Sequence, residues 1–282
     1  FADSDHRQKE NKKEMVMAEA DAFVAVISAF GEADKEKPAG LLTQLETVLL
    51  DLVLSDLERI ERRRQKGEKE RRAGLKLSAL ESKWLDRCQE RLEAGSPLFG
   101  MDFTPEEETV ARSYSFLSRK PMIVVANVSE ENLTGSGLEP LIARCREIGL
   151  ECLPLCASLE AEISRLEPEE QAAFLNDYRL QAPAKDRLIQ SAYRMMRLIS
   201  FFTVGEDEVK AWTLRCGASA QQAAGKIHSD IERGFIRAEV VSFVDFKRDG
   251  SLSACKGHGA LRLESKEYLV QDGEIVHFRF NV

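Results

Sequence analysis

The order strand, helix, strand between residues 122 and 158 constrains this chain more than any other feature. Met122-Ile123-Val124-Val125-Ala126-Asn127-Val128 is an apolar run placed directly after Lys120-Pro121. A short apolar run bounded by breakers reads as a buried strand. A helical stretch follows from about Gly137 to Ile148, and Glu151-Cys152-Leu153-Pro154-Leu155 then enters a second strand that opens into a loop at Cys156-Ala157-Ser158. Two strands joined through a helix lie parallel, so an α/β sheet is implied. A third run, Ala22 to Ile27, reads as a further strand of the same kind. In an open α/β sheet, ligands bind at the carboxyl ends of the strands. The first run ends there in Asn127-Val128-Ser129-Glu130, an amide and a carboxylate with the donor and acceptor groups that a purine edge needs. The same residues also suit a plainer role, an asparagine capping the turn after its strand.

Between the strands at 22–27 and 122–128 the pattern turns helical. Leu45, Leu49, Leu52, Leu57 and Ile60 form one apolar stripe, and Leu77, Leu80, Trp84, Cys88 and Leu92 form another. Two long antiparallel helices, a coiled-coil hairpin, are expected, with Gly67 and Gly74 as places to turn. Arg59 to Lys76 holds nine Lys or Arg against three Glu, in a chain whose net charge is −8. A basic tip on an acidic protein suits a polyanion such as RNA, through Arg62, Arg63, Arg64, Arg71 and Arg72. It equally suits a solvated helix surface. The negative total argues against a general nucleic-acid coat, and DNA is not an expected partner. No apolar stretch approaches the ~18–20 residues of a membrane span, and residues 1–14 lack the apolar centre of a signal peptide. Six cysteines without a Cys-x-x-Cys read as free cytosolic thiols. A metal or redox role for Cys145, Cys152 and Cys156 is the alternative, and no metal ligands are assigned.

Thr104-Pro105-Glu106-Glu107 opens a helix with an N-cap, a proline at the first position and acids in the first turn. Pro168 to Asp177 and Pro183 to Met196 continue as helices. From Leu198 the character changes. Ile199 to Val204 and Val209 to Leu214 read as a hairpin around Gly205-Glu206-Asp207, Ser219 to Arg233 as a helix, and Ile236 to Phe246 as a strand. Asp249 to Gly259 reads as a loop, followed by short strands at 261–263, 268–270 and 275–280, with a turn at Asp272-Gly273. This is an α+β, ubiquitin-like β-grasp pattern. Trp212 reads as a half-buried strand residue or as a stacking platform, and His228 and His277 as structural.

These last segments resemble a known family. Phe201-Phe202-Thr203-Val204-Gly205, Lys210-Ala211-Trp212-Thr213, Ala223-Ala224-Gly225-Lys226-Ile227-His228-Ser229-Asp230, Arg233-Gly234-Phe235-Ile236-Arg237-Ala238-Glu239-Val240 and the ending from Tyr268 to Val282 are similar to the TGS domain of the YchF/Obg-like ATPases. Glu19-Ala20-Asp21-Ala22 and Leu41 to Arg62 look like earlier parts of the same family, so the resemblance runs from about Glu14 onward. It implies a P-loop NTPase sheet interrupted by an α-helical coiled-coil hairpin. The partial nucleotide-binding domain would take residues 1–40 and 119–198, the helical insert 41–118, and the TGS domain 199–282. It further implies a ribosome-associated protein that binds ATP, with Mg²⁺, in preference to GTP. Asn127 would meet the purine edge, Glu130 would stand at the specificity position, Val128 would lie between them, and Cys156, Ala157 and Ser158 would close over the base. Ribosome or ribosomal RNA contact would come from the hairpin arginines and from Lys226, Arg233 and Arg237. Residues 199–282 hold 11 basic and 12 acidic side chains, so recognition there would rest on local groups and shape.

The resemblance also names what these 282 residues do not contain. Triphosphate binding needs Gly-x-x-x-x-Gly-Lys-Ser/Thr, and no such motif occurs. The family's Asp-x-x-Gly segment, switch loops and catalytic His are missing too. The expectation is therefore a base-reading half of an ATP site with weak or absent nucleotide binding and no hydrolysis. Phe1 in place of Met suggests a piece of a longer ATPase; a shortened, non-catalytic RNA- or ribosome-binding module using the hairpin and TGS domain is the alternative.

Overall fold

The computed structural model describes residues 15–30, 38–72, 77–133, 135–178, 180, 182–205 and 208–281. The chain divides into two compact units, Phe1–Ser191 and Ala192–Val282. The α/β class, the parallel sheet, the helical hairpin and the β-grasp pattern expected from the sequence are all present.

The first unit is built on three parallel strands, β1 (Phe23–Ala29), β2 (Met122–Val128) and β3 (Glu151–Leu155), in the order β1-β2-β3. β2 is central and carries six buried residues of seven, which explains its unbroken apolar run. Its register sets Ser28 beside Asn127 on one side and Leu155 on the other, so all three strand ends meet at one edge. Helix α4 (Glu139–Glu147) makes the crossover from β2 to β3, and α5 (Ala157–Ile163), α6 (Pro168–Asp177) and α7 (Ala184–Met195) follow. Among the described residues β1 pairs with no second strand, and the side-chain amide of Gln44 stands in for a partner at Ser28. The Ser28 N–H donates to Gln44 Oε1 at 3.0 Å, and Gln44 Nε2 donates to the Ser28 carbonyl at 3.1 Å. Before the sheet, Lys120 Nζ gathers the carbonyls of Met17 (2.7 Å), Ala18 and Ala20 and fixes the entry to β1.

Helix α1 (Pro38–Arg72) serves two cores. Leu41, Leu45, Leu49 and Leu52 pack on the sheet with Val124, Ala126 and Leu141. From Val53 onward the second core begins: Val53 and Ile60 join Trp84, Leu85, Cys88 and Leu92 of α2 (Ala79–Glu93) together with Phe116. Trp84 is fully buried and stacks on Phe116 at 5.5 Å. The hairpin is unequal, since α1 has 35 residues and α2 has 15. Leu80 of the second stripe is exposed at 41%. Gly67 is not a turn. It lies inside α1, where a Cβ would stand 2.6 Å from Leu77 Cδ1, so the absent side chain lets the returning segment pack close. Gly74, the other expected turn residue, lies outside the described residues.

A buried carboxylate ties the hairpin to the sheet. Asp56, fully buried on α1, accepts from the backbone N–H groups of Leu117 (2.8 Å) and Ser118 (2.7 Å), just before β2. Ser118 in turn receives the Leu98 N–H on its hydroxyl and the Phe99 N–H on its carbonyl. Burial pushes the Asp56 carboxyl above its ordinary range, against the pull of these donors and of Arg59. Helix α3 (Pro105–Ala111) carries the capping box expected from its sequence: Thr104 and Glu107 bond reciprocally, and Arg87 of α2 closes on Glu107.

The second unit is a five-stranded sheet in the order β5-β4-β8-β6-β7. Its strands are β4 (Leu198–Val204), β5 (Val209–Arg215), β6 (Phe235–Ser242), β7 (Arg262–Glu264) and β8 (Glu274–Phe280). β4 and β5 form the antiparallel hairpin, whose tip at 206–207 lies outside the described residues, and β4 also meets β8 in parallel. The expected helix at 219–233 is two, α8 (Ala220–Ile227) and α9 (Ser229–Arg233), broken where His228 is extended and caps the second. The strand expected to run to Phe246 stops at Ser242, whose hydroxyl caps α10 (Phe243–Asp249). The expected loop at 249–259 contains α11 (Leu252–Gly257), capped by Ser251. Residues 268–270 contribute one bridge, Ser219 to Leu269, rather than a strand. Asp272-Gly273 does turn the chain, and both residues bond to Ser200. At Gly234 a Cβ would meet the Asn281 carbonyl oxygen at 2.2 Å, so only glycine admits this approach of β8's end.

Candidate nucleotide-base site

The carboxyl edge of the parallel sheet brings five of the expected residues together. Asn127 is the last but one residue of β2 and is half-buried between two buried neighbours. Its Oδ1 accepts from the backbone N–H of Ala157 at 3.0 Å, so the amide of one strand end holds the first turn of the helix that follows the next strand. The plainer capping role and the base-site role thus use different ends of one side chain. Among the described residues, the Asn127 Nδ2 group makes no hydrogen bond. Val128 is buried beneath it. Cys156 is buried, extended, and precedes α5; its Sγ lies 3.1 Å from Ser158 Oγ.

Glu130 follows on a short 3₁₀ turn, Glu130–Asn132, with its side chain in solvent. Its Oε1 accepts from the hydroxyl of Tyr178, at the end of α6. The neighbouring carboxylate holds the Tyr178 phenol above its usual range. The Tyr178 ring is itself stacked on Phe174, with centroids 4.8 Å apart and planes 24° apart. Sequence reasoning missed Tyr178. It lies 48 positions from Glu130, and no local pattern joins the two.

An amide donor and a carboxylate acceptor are groups that a purine edge can take. Asn127 Nδ2 can donate to a ring nitrogen, and Glu130 Oε2 can accept from an exocyclic amine. These groups do not fit a triphosphate, since the 282 residues include no P-loop. Among the described residues no group of three His, Cys, Asp or Glu is placed to hold a metal ion. The cysteines are free, with Cys145 and Cys156 buried. The Cys145 sulfur and burial push the Cys152 thiol up, while the same contact holds the Cys145 thiol below its usual range.

The basic residues divide by partner. On α1, Arg62 pairs with Glu58 (2.8 Å) and Arg64 with Asp86 of α2 (2.7 Å). Arg63 bridges Glu70 and Glu81, each at 3.0 Å, and Glu81 also receives the Tyr114 hydroxyl. Arg63 is thus a hairpin staple. Arg71 and Arg72, in the last turn of α1, are exposed and have no ion pair with a described residue. In the second unit Lys226 and Arg237 are exposed and similarly unpaired, while Arg233 pairs with Asp230. Trp212 is a half-buried strand residue: its Nε1 donates to Thr203 at 3.0 Å, and Lys210 covers its ring at 4.4 Å. No helix among the described residues is long and apolar enough to cross a membrane.

Comparison with known proteins adds four findings. The family described as YchF-GTPase_C, a protein of unknown function (DUF933), matches residues 198–281. The ribosome-binding ATPase YchF of Bacillus subtilis is 37% identical over 271 residues, which span 94% of this chain and 74% of that protein. The protein of the same name from Haemophilus influenzae matches to the same extent. Among solved structures, the Schizosaccharomyces pombe YchF GTPase superposes with a TM-score of 0.78 at 27% identity, covering 93% of this chain and 73% of that one.

Proposed function

The chain belongs to the YchF family, and from that premise we propose that it is a ribosome-associated nucleotide-binding protein whose β2 edge reads the adenine of ATP in preference to guanine. The observation that carries this reading is the pair at that edge: an Asn127 amide with its donor end open, and a Glu130 carboxylate two positions beyond the strand. The carboxylate accepts from adenine's exocyclic amine, while Asn127 donates to a ring nitrogen. ATP, when bound, brings a triphosphate and Mg²⁺, for which these residues supply no holder; hydrolysis is therefore not assigned to them. On this reading residues 1–40 and 119–198 form the nucleotide-binding part, 41–118 the helical insert and 199–282 the TGS domain. A cytoplasmic location follows from the ribosomal partner that the relatives' names give.

Without phosphate contacts, adenosine is expected to bind with a dissociation constant on the order of 1 mM, about 4 kcal/mol. Titration followed by amide NMR should move the Ala157 resonance, and Asn127→Ala should abolish that response. An unresponsive Ala157 at saturating adenosine would count against a base site here.

A second reading, a module that grips ribosomal RNA or protein with its hairpin, is favoured by the exposed end of α1. Because Arg62 and Arg64 are partnered and Arg63 is structural, the charge available for phosphates at this end of α1 is that of Arg71 and Arg72, with Lys69 beside them. Replacing both with glutamine should weaken ribosome co-sedimentation and reduce the salt slope by about one per lost phosphate contact. Arg62→Gln should do less. Equal effects from both positions would assign the arginines to bulk surface charge.

A further inference from the structure

Tyr178 raises a question that the base-site reading leaves open. A carboxylate has two oxygens, and guanine presents two adjacent donors, its ring N–H and its exocyclic amine, that can take both at once. Adenine presents only the exocyclic amine on that edge, beside a ring nitrogen that accepts. A bare Glu130 would therefore suit guanine at least as well as adenine. In this structure it is not bare, because the Tyr178 hydroxyl donates to Oε1.

We infer that Tyr178 sets the base preference of this site by engaging one oxygen of Glu130, which leaves the other as the better acceptor, suits adenine and weakens guanine's two-point pairing. The inference rests on the base-site reading above. Charge-assisted O–H···O⁻ hydrogen bonds are among the stronger ones, so a guanine donor does not displace the phenol without loss. The phenol is also held in place. Its ring stacks on Phe174 at 4.8 Å, and Phe174 packs against the buried core of the first unit. Glu130 by contrast stands exposed on a 3₁₀ turn, and the Tyr178 hydroxyl is its one hydrogen-bond partner among the described residues. Tyr178 is thus a positioning residue that acts through Glu130. The residue type matters in one atom: phenylalanine keeps the stack on Phe174 and removes only the donor.

The test uses the full 282-residue chain and two probes, adenosine and guanosine, titrated separately and followed at the Ala157 and Glu130 amides. Wild type should prefer adenosine. In Tyr178→Phe guanosine should bind about tenfold tighter, the equivalent of one good hydrogen bond, while adenosine changes less than about threefold, so the preference collapses or inverts. If the ratio of the two affinities is unchanged in Tyr178→Phe but lost in Glu130→Ala, the base site stands and the role given to Tyr178 is overturned. Equal weakening of both nucleosides would also overturn it, because a residue that merely steadies Glu130 does not discriminate. If neither nucleoside moves Ala157 in the wild type and Glu130→Ala changes nothing, the base-site reading fails and takes this inference with it.

Discussion

Asp56→Ala is expected to unfold the helical hairpin from the sheet at a cost of about 2–5 kcal/mol. Two backbone N–H groups, those of Leu117 and Ser118, would lose their acceptor in a fully buried place. Each orphaned buried donor costs about 1–3 kcal/mol, against a total stability of ~5–15 kcal/mol for a domain. Asp56→Asn should be milder, since it keeps one carbonyl oxygen and the volume. The chain's two tryptophans, Trp84 and Trp212, belong to different units. In a Trp212→Phe background the emission midpoint in urea therefore follows the hairpin alone. A midpoint that does not move in Asp56→Ala would show that water or a neighbouring group replaces the carboxylate without cost.

Phe201→Ala is expected to destabilise the second unit by about 3–5 kcal/mol, the usual cost of emptying a buried aromatic site. Phe201 is fully buried on β4 and meets Phe278 of β8 edge to face, with centroids 6.1 Å apart and planes 87° apart. The loss strikes the contact between the two strands that pair in parallel at the middle of the sheet. Ile236→Ala on β6, where the side chain is 55% exposed, should cost less than ~0.5 kcal/mol. Amide exchange across β4 and β8 separates the two variants. Similar protection in both would mean that the site collapses around the missing ring.

Much of this architecture was legible because it rests on local pattern. The buried run at 122–128, the capping box at Thr104 and Glu107, and the Asp272-Gly273 turn all announce themselves within a few residues. That Asn127 and Ala157 meet was legible from the order strand, helix, strand, since strand ends of a parallel sheet converge. What stayed hidden depends on partners far away in the chain. Tyr178 reaches Glu130 across 48 positions, Gln44 patches Ser28 across 16, and Asp56 reaches Leu117 across 61. Gly67 was misread because glycine marks both turns and close approaches, and only the position of Leu77 tells them apart. The loop expected at 249–259 failed differently. Its short helix is started by a serine cap at 251, as the helix that cuts off the preceding strand is by one at 242, and both are too brief for any apolar period to show.

The Asp56 clamp also bears on the order in which the chain assembles. β1 and β2 are in register as neighbours, yet the whole helical hairpin separates them in sequence. Pairing them from an open chain means closing a long loop, and the entropy of closure must be met before any strand contact repays it. A hairpin that forms first shortens that loop. Its helices associate through near neighbours in the chain, and Asp56 then delivers residues 117–118 to the stem of α1, a few positions from the start of β2. The insert would therefore act as a folding template for the sheet that it interrupts. Its nucleus would lie at Trp84, Ile60 and Asp56, and substitutions there should slow refolding, while those in β3 should mainly speed unfolding.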